Sequence, residues 1–207
     1  MRRIFYSFLI LFALSACSQG ENTDEAEKID STENEVLSTQ DVKVPSIIFT
    51  SEKLNSVIDE EEIKGSIKTY LDSHYELDNA SYPFQEIIYE GKELNNNELE
   101  KFAKITKLTK ENDENFSNYI LNNSLPKGYQ EESERISQYI TNYNEILYEL
   151  DEILSNFTDD VNKGVFPKIN IGSIMNKSNV VNGREQKKIE EFLDKKYIKT
   201  KAFGREH

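Results

Sequence analysis

The sequence predicts an all-α fold, a small helical bundle built on a long antiparallel helix hairpin and preceded by a signal peptide and a disordered acidic tether. Apolar residues recur at steps of three and four through two long segments, which places them on one face of a helix. A short cluster of turn-forming residues separates these segments. No segment alternates apolar and polar residues over enough positions to require a β-sheet.

The start of the chain follows the pattern of a bacterial secretory signal. The chain begins Met-Arg-Arg, so two basic residues stand at positions 2 and 3, and residues 4–14 are apolar. Small residues then precede Cys17, the only cysteine of the sequence. The apolar run is too short to cross a membrane as a permanent helix. Residues 14–17, Leu-Ser-Ala-Cys, resemble the lipobox of bacterial lipoproteins, which implies that the Cys17 sulfur is acylated and that residues 1–16 are removed. The alternative is an ordinary signal or an uncleaved anchor, with Cys17 incidental.

The chain is strongly acidic. It has 25 basic and 38 acidic residues, and loss of Arg2 and Arg3 with the signal would change the net charge from −13 to −15. Phosphate groups repel such a chain, so we expect no nucleic acid partner. With Cys17 acylated no free thiol remains, which excludes disulfides, thiol catalysis and cysteine-ligated metals.

Composition divides the chain after the signal into two parts. Residues 17–44 are polar and acidic, with too few large apolar residues to offset the entropy of ordering, so they are predicted to form a lipidated, disordered tether. An acidic interaction tail is the alternative for this part. Residues 45–207 are predicted to form the helical domain, and residues 46–49 are expected to pack on it as an N-terminal strap.

A first helix is predicted over residues 59–74. Acidic residues occupy its first turn, where the helix dipole favours negative charge. Its inner face is Ile63, Ile67, Tyr70, Leu71 and His74. Pro83 is expected to end any helix that precedes it, leaving one buried turn before Gly91.

The two helices of the hairpin follow. Asn95 and Glu98 have the spacing of a capping box at the start of the second helix, which should end at residues 122–128. Its apolar stripe is Leu99, Phe102, Ile105, Leu108, Asn112, Phe116 and Tyr119. The third helix, residues 129–157, has the most regular stripe: Ile136, Tyr139 or Ile140, Tyr143, Leu147, Leu150, Leu154 and Phe157. The short connection predicts that it runs back antiparallel to the second helix.

The last part of the domain contains one more predicted helix. Residues 159–183 indicate an irregular segment with at most a short helix near residues 171–177. Asn182 and Glu185 then have capping-box spacing and begin a helix that should extend to about residue 197. Its expected inner face is Ile189, Phe192, Leu193 and Tyr197.

Residues 112–116, Asn-Asp-Glu-Asn-Phe, provide the candidate functional motif. Together with the lipobox, the chain length and the closing helix, this motif resembles the NDxxF-motif lipoproteins of Gram-positive bacteria. That family has no assigned function, so the resemblance implies an envelope location and transfers no catalytic residues.

The motif side chains have two interpretations. Asn112 continues the apolar stripe towards Phe116, so it should be buried and must find hydrogen-bond partners. Asn112 either fixes the packing, with Asp113 joining its network, or forms the floor of a polar binding groove with Asp113. Because Asp113 is one helical position further on, we expect it to point nearer to solvent than Asn112.

No arrangement of residues indicates catalysis, a metal or a cofactor. His74 is expected to be a core or rim residue, and His207 is terminal. Ser124 and Lys127 have S-x-x-K spacing but lack the companion motifs of penicillin-binding enzymes.

We therefore expect a non-enzymatic, monomeric lipoprotein on the outer face of the cytoplasmic membrane that binds a protein or cell-wall component. The alternatives are a substrate-capture lipoprotein serving a transporter and an envelope hydrolase.

Overall fold

A computed structural model describes residues 38–162, 177 and 179–205. These residues form helices α1 (Glu60–Tyr89), α2 (Asn96–Leu121), α3 (Gln130–Asn162) and α4 (Gly183–Lys195), followed by a 3₁₀ turn (Ala202–Gly204). The prediction of an all-α bundle is confirmed. The signal peptide, Cys17, residues 18–37, His207 and most of the short helix predicted near residues 171–177 lie outside the described residues. In the described ranges, no helix is long and apolar enough to cross a membrane.

Helices α2 and α3 form the predicted antiparallel hairpin. Near the connection, Gln130 Nε2 donates a hydrogen bond to the Ile120 carbonyl oxygen at 3.2 Å. Further along both helices, Asn144 Nδ2 donates to Asp113 Oδ2 at 2.8 Å. Residue numbers rise on one helix as they fall on the other, as antiparallel packing requires. Helix α1 packs against both helices of the hairpin, and α4 packs against α3.

Helix α1 is longer than the sequence predicted, because it continues through Pro83. The expectation that Pro83 would end the helix is wrong: α1 extends to Tyr89, with Pro83 buried inside it. A proline in this position removes one backbone donor and crowds the preceding turn. Leu77 and Phe84 are fully buried on either side of Pro83, and the Phe84 ring packs on Phe102 of α2 at 5.7 Å. This burial holds the helix together across the proline.

The predicted helix starts are confirmed by their caps. The Asn95 side chain accepts hydrogen bonds from the N–H groups of Asn97 and Glu98, and the Glu98 side chain accepts one from the Asn95 N–H, which completes the capping box. Asn182 accepts from the N–H groups of Arg184 and Glu185 at the start of α4. These side chains satisfy donors that the first turn of a helix leaves unpaired.

The end of α4 differs from the prediction, because Tyr197 does not lie on its inner face. The helix ends at Lys195, and Tyr197 has a φ of +57° with 87% of its surface exposed. The Tyr197 N–H donates to the Asp194 carbonyl and the Ile198 N–H donates to the Leu193 carbonyl, as in a Schellman motif. This turn reverses the chain, so Ile198 is buried in place of Tyr197.

Two leucines of the predicted stripes are less buried than expected. Leu99 of α2 is 50% exposed, because the fully buried side of this helix begins later, at Ile105. Leu147 of α3 is only partly buried, whereas Ile136 and Ile140 are almost completely buried. The side chains of α3 beyond residue 149, including Leu150, Leu154 and Phe157, lie outside the described residues.

Candidate functional site

The candidate motif lies where an N-terminal segment without regular secondary structure packs along helix α2. This segment, residues 38–58, is called the strap below. It confirms the prediction that residues 46–49 pack on the domain, and it extends that contact back into residues assigned to the tether. Thr39 is buried and its hydroxyl donates to Glu98 Oε1 at 2.5 Å. The ordered domain therefore begins before Pro45.

Asn112 is completely buried and bonds to the main chain of two different segments. Its Oδ1 accepts a hydrogen bond from the Phe49 N–H at 2.8 Å, and its Nδ2 donates to the Tyr70 carbonyl oxygen at 3.3 Å. Asn115, one turn later, donates from Nδ2 to the Phe49 carbonyl oxygen at 3.0 Å. Both main-chain polar groups of Phe49 are thus satisfied by amide side chains of α2.

Asp113 is also buried, so the expectation that it points nearer to solvent is wrong. Its Oδ1 accepts a hydrogen bond from the Tyr70 hydroxyl and its Oδ2 accepts one from Asn144 Nδ2, both at 2.8 Å. Helix α3 covers the side of α2 that the sequence pattern left open. Burial raises the pKa of Asp113 to about 6, although the hydrogen bonds from Asn144 and Tyr70 act in the opposite direction.

Phe116 completes the motif by joining the strap to α1. Its ring stacks on Tyr70 with centroids 4.1 Å apart and meets the Phe49 ring edge-on at 5.3 Å. Tyr119 also meets the Phe49 ring edge-on, with ring centroids 5.3 Å apart. Phe49 therefore occupies an aromatic pocket, a geometry that stabilises beyond the burial of apolar area alone.

A polar row on α1 continues from the motif along the interface with α3. Tyr70, His74 and Asp78 follow one another at four-residue steps on the same helix face. Burial lowers the pKa of His74 to about 4, and its ring meets Tyr143 edge-on at 5.8 Å. Burial also raises the pKa of Asp78 to about 6, with a hydrogen bond from Tyr143 opposing the shift. His74 lies on the inner face, as the sequence predicted.

The strap is fixed at both ends by side chains that bond to its main chain. At its start, Lys101 Nζ donates to the carbonyl oxygens of Thr39, Gln40 and Val42 at 3.2, 2.9 and 3.4 Å. At its end, Asn123 accepts from the Ser56 N–H and donates to the Lys53 carbonyl, both at 2.9 Å.

Sequence reasoning did not find this role of Lys101, Asn115 and Asn123. Their partners are main-chain atoms far away in the chain. The available sign was that Asn112 and Asn115 on α2, and Asn123 just after it, recur at steps close to a whole number of helical turns.

Three exposed apolar side chains lie on two segments that run side by side at the end of α2. Leu54, Val57 and Leu121 are 65%, 86% and 65% exposed. The Asn55 N–H donates to the Asn122 carbonyl at 2.7 Å, and Val57 forms an isolated β-bridge with Ser124. These contacts bring the two segments that carry the apolar side chains side by side. Ser124 of the S-x-x-K string thus takes part in main-chain pairing with the strap.

A cleft of about 240 Å³ lies beside α3 and α4. Arg135 lies in its wall and forms ion pairs with Glu131, Glu132 and Glu185, so its guanidinium is fully engaged. In the part of the chain that the structure describes, no group of three or more His, Cys, Asp or Glu side chains could hold a metal ion.

Fold and site together define an up-and-down helical bundle in which an extended strap is held by amides of α2. No protein-family model, curated protein or solved structure matches this chain. The relationship to the NDxxF-motif lipoproteins therefore stays a prediction.

Proposed function

We propose that the protein is a membrane-anchored extracytoplasmic lipoprotein that acts by binding another molecule and catalyses no reaction. The anchor is the lipid on Cys17, since a strongly acidic chain gains nothing from anionic headgroups. A single acyl chain binds a membrane only marginally, but a diacylglyceryl group supplies a second chain and makes the anchor stable.

The observation that carries the binding role is the apolar group at the end of α2, formed by Leu54, Val57 and Leu121. Exposed apolar side chains that cluster are typical of interaction surfaces. They lie at the end of α2 opposite Glu98, where the strap begins. A helix of 26 residues is about 39 Å long, so the two ends are well separated. A domain tethered at one end would present the apolar group at the other.

The side chains of the Asn112–Phe116 motif are already engaged inside the domain, which supports a binding surface outside the motif. The polar atoms of Asn112 and Asp113 bond to the strap, α1 and α3, and Phe116 packs on Tyr70 and Phe49. Leucine and valine side chains suit the apolar surface of a protein better than the hydroxyl-rich surface of a glycan. Within the proposed choice of a protein or a wall component, a protein partner is therefore favoured.

Metabolic labelling tests the anchor. Cells given a fatty-acid analogue should incorporate it into the wild-type protein and not into Cys17→Ala. Equal labelling of the two proteins would exclude lipidation at Cys17.

Site-specific photo-crosslinking in intact cells tests the surface. A photoreactive residue at position 121 should give a crosslinked protein product that also forms from positions 54 and 57. Leu99 provides a matched control, because it is an exposed leucine near the opposite end of the same helix. The same product from position 99, or no product from position 121, would contradict a partner at this end.

A further inference from the structure

We infer that the strap bears mechanical load. It transmits tension from the tether to the helical bundle through the side chains of α2. This inference rests on the proposed anchoring, because only an anchored tether experiences tension. The direction in which the strap resists a pull is nevertheless a property of the folded chain, so it can be tested without a membrane.

The order of the contacts shows that the strap runs parallel to α2. Thr39 contacts Glu98 near the start of the helix. Phe49 contacts Asn112 and Asn115 in its second half. Ser56 contacts Asn123, just beyond the last residue of the helix. The tether thus joins the domain beside the start of α2, and the strap then extends along the whole helix.

The strap is held mainly through its main chain. Four α2-side residues supply these contacts: Lys101, Asn112, Asn115 and Asn123. Phe49 is the deeply buried anchor between them, while Ile47 beside it is 73% exposed. Val42, Val44 and Ile48 add partly buried contacts to the cluster of Leu77, Ala80, Phe84 and Ile105. Resistance to a pull therefore depends on several separate bonds spaced along one axis.

The direction of the pull decides how these bonds share the load. When the start of the strap and the far end of α2 are pulled apart, the force runs along the interface and strains all of the bonds together. When the start of the strap and the start of α2 are separated, the bond nearest the pull breaks first and the others follow one by one. A membrane anchor at the tether and a partner at the far end of α2 would produce the first geometry.

Single-molecule pulling can compare the two geometries in one protein. The unlipidated chain beginning at Cys17 offers that thiol as one handle, and the second handle is a cysteine at Lys127→Cys or at Lys92→Cys. Both lysines are exposed, one in the connection after α2 and the other in the connection before it. Release of the strap frees about 20 residues, which extend to at most about 70 Å. We expect this release at a several-fold higher force with the handle at position 127 than at position 92.

Asn115→Ala tests whether the amide contacts carry the load. It removes one bond to Phe49 and leaves Asn112 in place, so the release force in the position-127 geometry should fall. Asn118→Ala is the matched control, since Asn118 is an exposed asparagine of the same helix. Equal release forces in the two geometries, or a force that Asn115→Ala leaves unchanged, would overturn the inference. Because the protein in this experiment carries no lipid, the two failures can be told apart. A failed Cys17 labelling test would remove the source of the tension, whereas a failed pulling test would show that the strap does not resist force in the stated direction.

Discussion

Asn112 is a buried amide that serves as a hydrogen-bond partner for main chain belonging to no regular element. The Phe49 N–H lies in an extended segment, where no neighbouring strand can accept its hydrogen bond, and Asn112 Oδ1 takes that role. An unpaired buried donor costs about 1–3 kcal/mol. The side chain therefore stabilises the fold chiefly by preventing this cost, and it does so for a residue 63 positions away in the chain.

The first prediction concerns Asn112→Leu. From the helix stripe alone, leucine at this position should be tolerated or even stabilising, because it removes a buried amide. The structure predicts the opposite, since leucine leaves the Phe49 N–H without a partner and brings a larger side chain against Tyr70. We expect Asn112→Leu and Asn112→Ala each to lower the free energy of unfolding by about 1–3 kcal/mol, measured by chemical denaturation. A stability of Asn112→Leu equal to or above that of the wild type would contradict this role of the amide.

The second prediction concerns Asp113, whose carboxylate the folded state holds in an unfavourable environment. Burial raises its pKa from 3.8 to about 6. Above pH 6 the folded protein therefore keeps a buried charge, and as the pH falls from about 6 to about 4 it binds a proton that the unfolded chain does not yet bind. This uptake stabilises the folded state on acidification. Asp113→Asn removes the effect.

We expect Asp113→Asn to exceed the wild type in free energy of unfolding at pH 7.5 by about 2–3 kcal/mol, because each pKa unit corresponds to about 1.4 kcal/mol. Rotation of the Asn144 amide allows the new side chain to keep its hydrogen bonds. The difference should shrink as the pH approaches 4. Glu114→Gln serves as the control, since its carboxylate is exposed on the same helix. A difference between Asp113→Asn and wild type that stays constant with pH would exclude the buried charge as its cause.

At the scale of helices, the sequence predicted best those features that depend on neighbouring residues. The caps at Asn95 and Asn182 follow from side chains that reach the next turn, and the structure confirms both. Pro83 was wrongly predicted to end a helix, because its cost is local while the compensating burial of Phe84 against α2 is not. Tyr197 was wrongly placed because a left-handed residue after a helix is normally glycine or asparagine.

The candidate site was predicted only in part, because some of its contacts join residues that are far apart in the sequence. The stripe through Asn112 and Phe116 correctly indicated a buried face of α2. A second buried face, which carries Asp113, exists only because α3 packs there through Asn144. Periodicity within one helix reports how many faces are apolar, and it cannot indicate a polar contact to a third helix.

The third prediction tests which side of α3 faces the core. The sequence stripe placed Leu147 at its centre, whereas in the structure Ile136 is fully buried and Leu147 is partly exposed. Ile136→Ala should lower the free energy of unfolding by about 2–5 kcal/mol, through lost burial and a cavity. Leu147→Ala should cost clearly less. Denaturant unfolding of the two variants measures both losses of stability. A larger loss for Leu147→Ala than for Ile136→Ala would mean that α3 is rotated about its axis from the orientation described.

At the scale of the whole molecule, the strap packs on helices α1 and α2, which also contact each other directly. It spans the length of α2 and inserts Phe49 between Phe116 and Tyr119, next to Tyr70 of α1. A four-helix bundle can bury its helix faces without such a segment. Here the groove between α1 and α2 is completed by the strap, because Val42, Val44 and Ile48 pack on the apolar cluster at its floor. The stability of the helices should therefore depend on a residue that lies before all of them.

The last prediction tests this dependence with two neighbouring residues of the strap. Phe49→Ala removes an aromatic ring that is 4% exposed, and a change of this kind costs about 3–5 kcal/mol. Ile47→Ala removes an exposed side chain two positions earlier and should change stability by less than about 0.5 kcal/mol. Unfolding followed by helical circular dichroism reports on the bundle and not on the strap itself. If the strap is part of the cooperative core, Phe49→Ala shifts the whole helical transition, and Ile47→Ala leaves it in place. A helical transition unaffected by Phe49→Ala would mean that the bundle folds independently of the strap, and the tether would then be joined to the domain only at the start of α1.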